Sequence, residues 1–149
     1  MSDNVLKLIP ASPSYVPDAS MVEKACGMIA QYLPDARETR CTSTPEIRFV
    51  DQGANWERIL CPICGNEIDE EWWVRATDAA HKEGFTDLSV KLPCCGAISS
   101  PNDLRYEWPA GFSRFVIEVY NPGKDLNADQ LKSLEQILGC GLRVIWAHY

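Results

Sequence analysis

A chain of 149 residues, 46% of them hydrophobic, is long enough to bury one continuous core and short enough to read as a single domain. Its formal net charge of −7 argues against a broad phosphate-binding face, because nucleic-acid affinity comes from clustered Lys and Arg, and Arg37, Arg40, Arg48, Arg58 and Arg75 are scattered. No stretch approaches the roughly 20 apolar residues of a membrane span, and the opening Met1-Ser2-Asp3-Asn4-Val5-Leu6-Lys7-Leu8-Ile9-Pro10 is too short and lacks the basic leader of an export signal.

Residues 5–9 form a short apolar run stopped by Pro10, which reads as a first strand. Val22, Cys26, Ile29 and Leu33 then recur at helical spacing until Pro34 ends the pattern. A polar linker follows, and Ile47-Arg48-Phe49-Val50 reads as a second strand stopped by Asp51-Gln52-Gly53.

The middle of the chain carries the metal chemistry. Cys61-Pro62-Ile63-Cys64-Gly65 is a zinc knuckle, in which the glycine lets backbone amides turn toward sulfurs that converge on one ion. Leu92-Pro93-Cys94-Cys95-Gly96 keeps the Pro and the final Cys-Gly but moves its other cysteine next door. Aligning the two places Cys95 opposite Cys64 and makes Cys94 the fourth ligand, reaching in from the neighbouring position. Four sulfurs would fill the coordination sphere and make the zinc structural. Between the pairs, Asp69-Glu70-Glu71 suits a helix N-terminus, Trp72, Ala76 and Ala79 share a face, and residues 85–92 read as a returning strand.

The last third repeats the order of the first. Residues 115–120 read as a strand and Asn121-Pro122-Gly123 as a turn. Asn127 with Gln130 forms a capping-box pattern for a helix that buries Leu131, Leu134 and Leu138. Residues 142–149 close the chain as a strand, with Leu142, Val144 and Trp146 on one side. Two β-α-β units at the two ends predict an α+β fold: a ferredoxin-like split β-α-β sandwich, with residues 1–52 and 112–149 as its halves and 53–111 as an inserted zinc-binding subdomain.

Other residues invite weaker readings. His81 reads as a solvent-side helix residue and a substitute ligand should Cys94 stay off the metal. His148 reads as a strand residue, and Ser113 lacks the second glycine of a nucleophile elbow. Cys26 and Cys140 fall in core patterns and Cys41 in a loop. Of five tryptophans at least three are expected in the core; Trp72 and Trp73, being adjacent, cannot both face inward. Asp69, Glu70, Glu71, Asp78 and Glu83 line one acidic helix. No phosphate loop or dinucleotide fingerprint is present.

The motifs Phe49-Val50-Asp51-Gln52-Gly53-Ala54-Asn55-Trp56-Glu57, Cys61-Pro62-Ile63-Cys64-Gly65, Trp72-Trp73, Gly84-Phe85-Thr86-Asp87-Leu88, Pro93-Cys94-Cys95-Gly96, Asn102-Asp103-Leu104, Trp108-Pro109-Ala110-Gly111-Phe112 and Trp146-Ala147-His148-Tyr149 cover most of the chain after residue 45. In them the chain resembles an uncharacterised bacterial family of small zinc-knuckle proteins of similar length. Some members carry a sugar-transporter ATPase label, which the missing phosphate loop contradicts. The resemblance implies a bacterial origin and a shared zinc fold, and no catalytic residues.

Seven cysteines without an export signal point to the reducing cytoplasm, where paired thiols are metal ligands more often than disulfides. The expected function is a zinc-stabilised protein-binding module, an inhibitor or immunity protein for a toxin, whose acidic surface steers a basic partner. The alternatives are a zinc-knuckle regulator associated with nucleic acid, and an enzyme using His148 or an open zinc position.

Overall fold

A computed structural model describes residues 3–149; Met1 and Ser2, at the head of the stretch read above as no export signal, lie outside it. In chain order the elements are β1 (Asn4–Pro10), α1 (Ala19–Tyr32), β2 (Glu38–Val50), β3 (Ile59–Leu60), β4 (Glu67–Ile68), α2 (Glu70–Lys82), β5 (Val90–Lys91) and β6 (Ile98–Ser99). A short 3-10 turn (Pro101–Asp103), β7 (Arg105–Tyr106), β8 (Gly111–Tyr120), α3 (Ala128–Leu138) and β9 (Leu142–His148) complete the mixed α+β fold.

Val5, Leu6, Leu8 and Ile9 are all buried, so β1 is apolar on both faces, as a central strand covered on two sides must be. It pairs antiparallel with β8 and with β9. β2 joins the far side of β8, giving the order β2-β8-β1-β9, antiparallel throughout. One face packs on the helices: Leu6, Leu8, Phe115, Ile117 and Val119 meet Ala25, Ile29, Leu33, Leu134 and Leu138. The capping box forms, with the Gln130 amide donating to Asn127 Oδ1 at 2.8 Å and the Asn127 amide to Gln130 Oε1 at 3.0 Å.

Three expectations need correction. The polar stretch read as a linker is the first half of β2, with Glu38 to Ser43 paired against Tyr120 to Phe115, so Cys41 lies in a strand and not a loop. Its polarity hid it: an edge strand faces water along one side and tolerates Thr and Arg. The register shifts between Ser43 and Arg48, around Pro45, which has no amide to give to a ladder. On α2 the buried positions are Thr77 and Ala80, with Trp73 on the same side, whereas Ala79 is exposed. The Thr77 hydroxyl is satisfied within the helix by the Trp73 carbonyl at 2.9 Å, which is why a polar residue sits there. Finally, residues 85–89 are irregular and only Val90–Lys91 is a strand. Phe85 takes a positive φ of 57° to place its ring 5.4 Å from that of Phe112.

Everything from β3 to β7 lies in the chain between β2 and β8. An aromatic seam joins this stretch to the sheet: Phe49 stands 5.1 Å from Trp73 and 5.2 Å from Phe112, and Trp56 stands 5.0 Å from Trp73. Trp73 Nε1 donates to the buried Tyr106 hydroxyl at 3.0 Å, which in turn donates to the Pro101 carbonyl. Asn102 Oδ1 accepts from the Phe112 amide at 2.8 Å and from Arg143 at 3.2 Å, tying the 3-10 turn to β8 and β9.

Candidate metal centre

Two hairpins of the same construction carry the cysteines. In the first, β3 and β4 pair Ile59 with Ile68; the Cys61 amide donates to Asn66 O at 2.8 Å and the Gly65 amide to Cys61 O at 3.0 Å. In the second, β5 and β6 pair Val90 with Ser99; the Leu92 amide donates to Ala97 O and the Gly96 amide to Leu92 O, both at 2.9 Å. Gly65 and Gly96 close the tips at φ of 77° and 73°, a backbone that glycine adopts without strain. The sequence shows no evident repeat, yet Ile59, Cys61, Pro62 and Gly65 correspond in structure to Val90, Leu92, Pro93 and Gly96. Leu92 therefore occupies the place of Cys61, and Cys94 the place of Ile63.

The sulfurs of Cys61, Cys64, Cys94 and Cys95 lie within 4.8 Å of one another. Cys61 and Cys95 are 3.9 Å apart and Cys64 and Cys94 are 3.4 Å apart, two contacts that run between the two hairpins. Such a set of four soft donors could hold a metal ion. Cys61 is fully buried, and its sulfur accepts amide hydrogens from Ile63 and Cys64 at 3.4 Å each; the other three cysteines are exposed. The Cys64 amide, with the Ile63 amide behind it and burial opposing both, pulls the Cys61 thiol down to about 6. Hydrogen bonding to the Cys64 sulfur pushes Cys94 up to about 12. Sulfurs this close repel when charged, so one thiolate forces its neighbour to keep a proton, and a cation among them removes that conflict.

The other candidate residues stand apart from this cluster. His81 is exposed and lies against Phe85, ring centres 5.4 Å apart. His148 Nδ1 meets Asn4 Oδ1 at 2.8 Å at the sheet edge. Ser113 is buried and donates to the Phe115 carbonyl at 2.7 Å, which removes it as a nucleophile. Cys26, Cys41 and Cys140 are half-buried free thiols; burial, with Cys26 beside it, pushes Cys41 up to about 12. Trp56, Trp72, Trp73 and Trp146 pack against the cores, whereas Trp108 is exposed; the adjacent Trp72 and Trp73, expected not to face inward together, both reach one cluster because each is only partly buried there.

Sequence reasoning missed two features. One is the exposed pair Ile63 and Ile98, 61% and 69% exposed, on the two hairpins that bear the sulfurs. The other is a groove of about 440 Å³ lined by Trp56, Glu57, Glu67, Asp69 and Glu70. Arg58 also lines it, with its charge already engaged by Glu107 at 3.0 Å. Glu57 lies far in the chain from Glu67, Asp69 and Glu70, and the β3–β4 hairpin brings it beside them.

Comparison of the chain with family models, with curated proteins and with solved structures finds no match. Among the described residues, no helix is long and apolar enough to cross a membrane.

Proposed function

We propose that Cys61, Cys64, Cys94 and Cys95 hold one structural zinc ion, and that the chain is a zinc-stabilised protein-binding module of the inhibitor or immunity type. The convergence of four sulfurs from two hairpins carries the zinc reading. Tetrahedral zinc with sulfurs at about 2.3 Å spaces them about 3.8 Å apart, and the two contacts between the hairpins bracket that value at 3.4 and 3.9 Å. A closed four-sulfur set leaves no position for an activated water, which favours a structural ion over a catalytic one. When bound, the ion supplies a crosslink between hairpins too short to hold together alone. We also read the chain as a member of the small zinc-knuckle family that its motifs resemble.

The sheet order β2-β8-β1-β9, with α1 and α3 on one face, supports a ferredoxin-like split β-α-β sandwich carrying residues 53–111 as an inserted zinc-knuckle subdomain. The partner is a basic protein met in the cytoplasm. The net charge of −7 and the groove of Glu57, Glu67, Asp69 and Glu70 around Trp56 favour it, because acidic surfaces speed capture of cations and an indole anchors them.

Elemental mass spectrometry on protein purified without added zinc tests the first half, with about one zinc per chain expected and none overturning it. Affinity capture from the source cell and from neighbouring-gene products tests the second. A stoichiometric basic protein, lost with the Glu67→Lys/Glu70→Lys variant, is expected; recovery of no stoichiometric partner overturns the reading.

A further inference from the structure

The two halves of the sulfur cluster are held unequally. Cys61 is buried and its sulfur accepts two amide hydrogens, which fix its position. In the second hairpin the corresponding position is Leu92, so that knuckle has no sulfur where the first one places its amide-bonded thiolate. Among the described residues no backbone amide donates to the sulfur of Cys94 or Cys95. Cys94 moreover stands where the first hairpin has Ile63, and both residues are exposed. Its sulfur lies 3.4 Å from that of Cys64, which is also exposed.

We propose that Cys94 is the labile ligand of the cluster and that a peroxide joins it to Cys64 as a disulfide, releasing the metal. A bound metal keeps the Cys94 sulfur deprotonated, against the upward push of the metal-free cluster; that thiolate attacks one peroxide oxygen, the O–O bond breaks, hydroxide leaves, and Cys94 becomes a sulfenic acid. The Cys64 thiolate then attacks that sulfur, an S–S bond forms and a second hydroxide leaves. Two protons turn both hydroxides into water; the two sulfurs together lose two electrons and the peroxide gains them. Cys61 and Cys95 remain, too few to retain the ion. The competing Cys94–Cys95 link is disfavoured, because adjacent Cα atoms sit about 3.8 Å apart and disulfides span about 4.4–6.8 Å. The new bond runs between the two hairpins, so a covalent tie replaces the ionic one.

The release of metal rests on the zinc reading above, whereas the crosslink can be read with or without metal. Zinc-loaded full-length protein is treated with one equivalent of hydrogen peroxide while a colorimetric chelator reports free zinc and peptide mapping identifies disulfides. One zinc released per Cys64–Cys94 disulfide is expected, with slower release in Leu92→Cys/Cys94→Ser, which keeps four sulfurs but removes the exposed one. A first disulfide between any other cysteines, or equal release from that double variant, overturns the proposal. Should that variant not fold, sub-stoichiometric iodoacetamide on the wild-type protein decides the same question: Cys94 is alkylated first, and another cysteine alkylated first overturns it. Protein that holds no metal would sink the zinc reading, and the Cys64–Cys94 link in that protein would still be confirmed or refuted by the same mapping.

Discussion

Cys61 and Leu92 occupy the same place in two successive hairpins. Each gives its amide to the residue after the tip glycine, Asn66 at 2.8 Å and Ala97 at 2.9 Å, and each takes the amide of that glycine on its own carbonyl. Both are fully buried in one cluster with Ile59, Ile68 and Tyr106. The second hairpin thus repeats the backbone of the first with an apolar side chain in place of its inner sulfur, and carries Cys94 where the first has Ile63.

That correspondence predicts that the fourth sulfur can be moved. The double variant Leu92→Cys/Cys94→Ser should still bind one metal per chain, now through two matching Cys-Pro-x-Cys loops, and should resist iodoacetamide better than the wild type. Trading a buried leucine for a smaller side chain costs about 2 kcal/mol, partly offset by a better-held thiolate. Loss of metal binding, measured by elemental mass spectrometry, would show that the two hairpins are alike in backbone only.

If the cluster holds the proposed ion, removing it should loosen one part of the molecule and spare another. β3 to β6 are two-residue strands whose hairpins are marginal alone, whereas the four-stranded sheet has its own core of Leu6, Leu8, Ile117, Leu134 and Leu138. Hydrogen exchange after chelation should therefore speed up at the amides of 59–68 and 90–99 while those of β1 and β8 hold. Uniform acceleration through both regions would contradict this division.

What the sequence disclosed and what it hid follow from how locally each element is determined. β1, α1, α3 and β9 were legible because burial imposes a simple period, as in Leu134 and Leu138 on α3. The first half of β2 was not, since an edge strand pairs with one neighbour and keeps polar residues such as Thr39 and Arg40. The buried face of α2 was misjudged by one position because Thr77 reads as polar, although its hydroxyl bonds within the helix. The four cysteines were legible by spacing. Aligning Cys-Pro-x-Cys-Gly with Leu-Pro-Cys-Cys-Gly already sets Leu92 opposite Cys61; that the two share one hairpin backbone and one buried cluster comes only from the structure. The Lys7, Asp51 and Tyr149 cluster had no local signal, being assembled from three distant parts of the chain.

The Lys7 ammonium is buried, and it donates to Asp51 Oδ1 and to the Asp51 carbonyl, both at 3.0 Å, and to the Tyr149 hydroxyl at 2.6 Å. Burial by itself raises the Asp51 carboxyl, but the hydrogen bonds from Tyr149 and Lys7 outweigh it and hold the group below its ordinary value. A carboxyl lowered on folding contributes stability that is fully present above the unfolded pKa and is lost as pH falls through the folded one. The variant Asp51→Asn should lose stability at neutral pH and lose less on acidification than the wild type. Because the Asp51 side chain is 44% exposed, water screens it, and about 1–2 kcal/mol is expected in place of the 3–5 of a fully buried pair. Urea midpoints at neutral and acid pH would check this; parallel pH profiles for the two proteins would refute it.

Three glycines should respond to alanine in three different ways. Gly53 has a φ of 58°, and a Cβ there would strike the backbone carbonyl oxygen of His148, where residue 53 bridges β9 and Ala54 donates to that same oxygen at 2.7 Å. Neither backbone can yield without breaking the bridge, so Gly53→Ala should cost about 2–3 kcal/mol. Gly65 has a φ of 77° but open space around it, leaving only the left-handed backbone penalty of about 1 kcal/mol. Gly27 lies exposed within α1 with nothing near its missing side chain, so Gly27→Ala should stabilise the protein by about 0.5–1 kcal/mol through helix propensity. Thermal or urea unfolding of the three variants would test the order, and a Gly53→Ala protein as stable as Gly65→Ala would mean that the 53–55 segment does not hold the end of β9 as described.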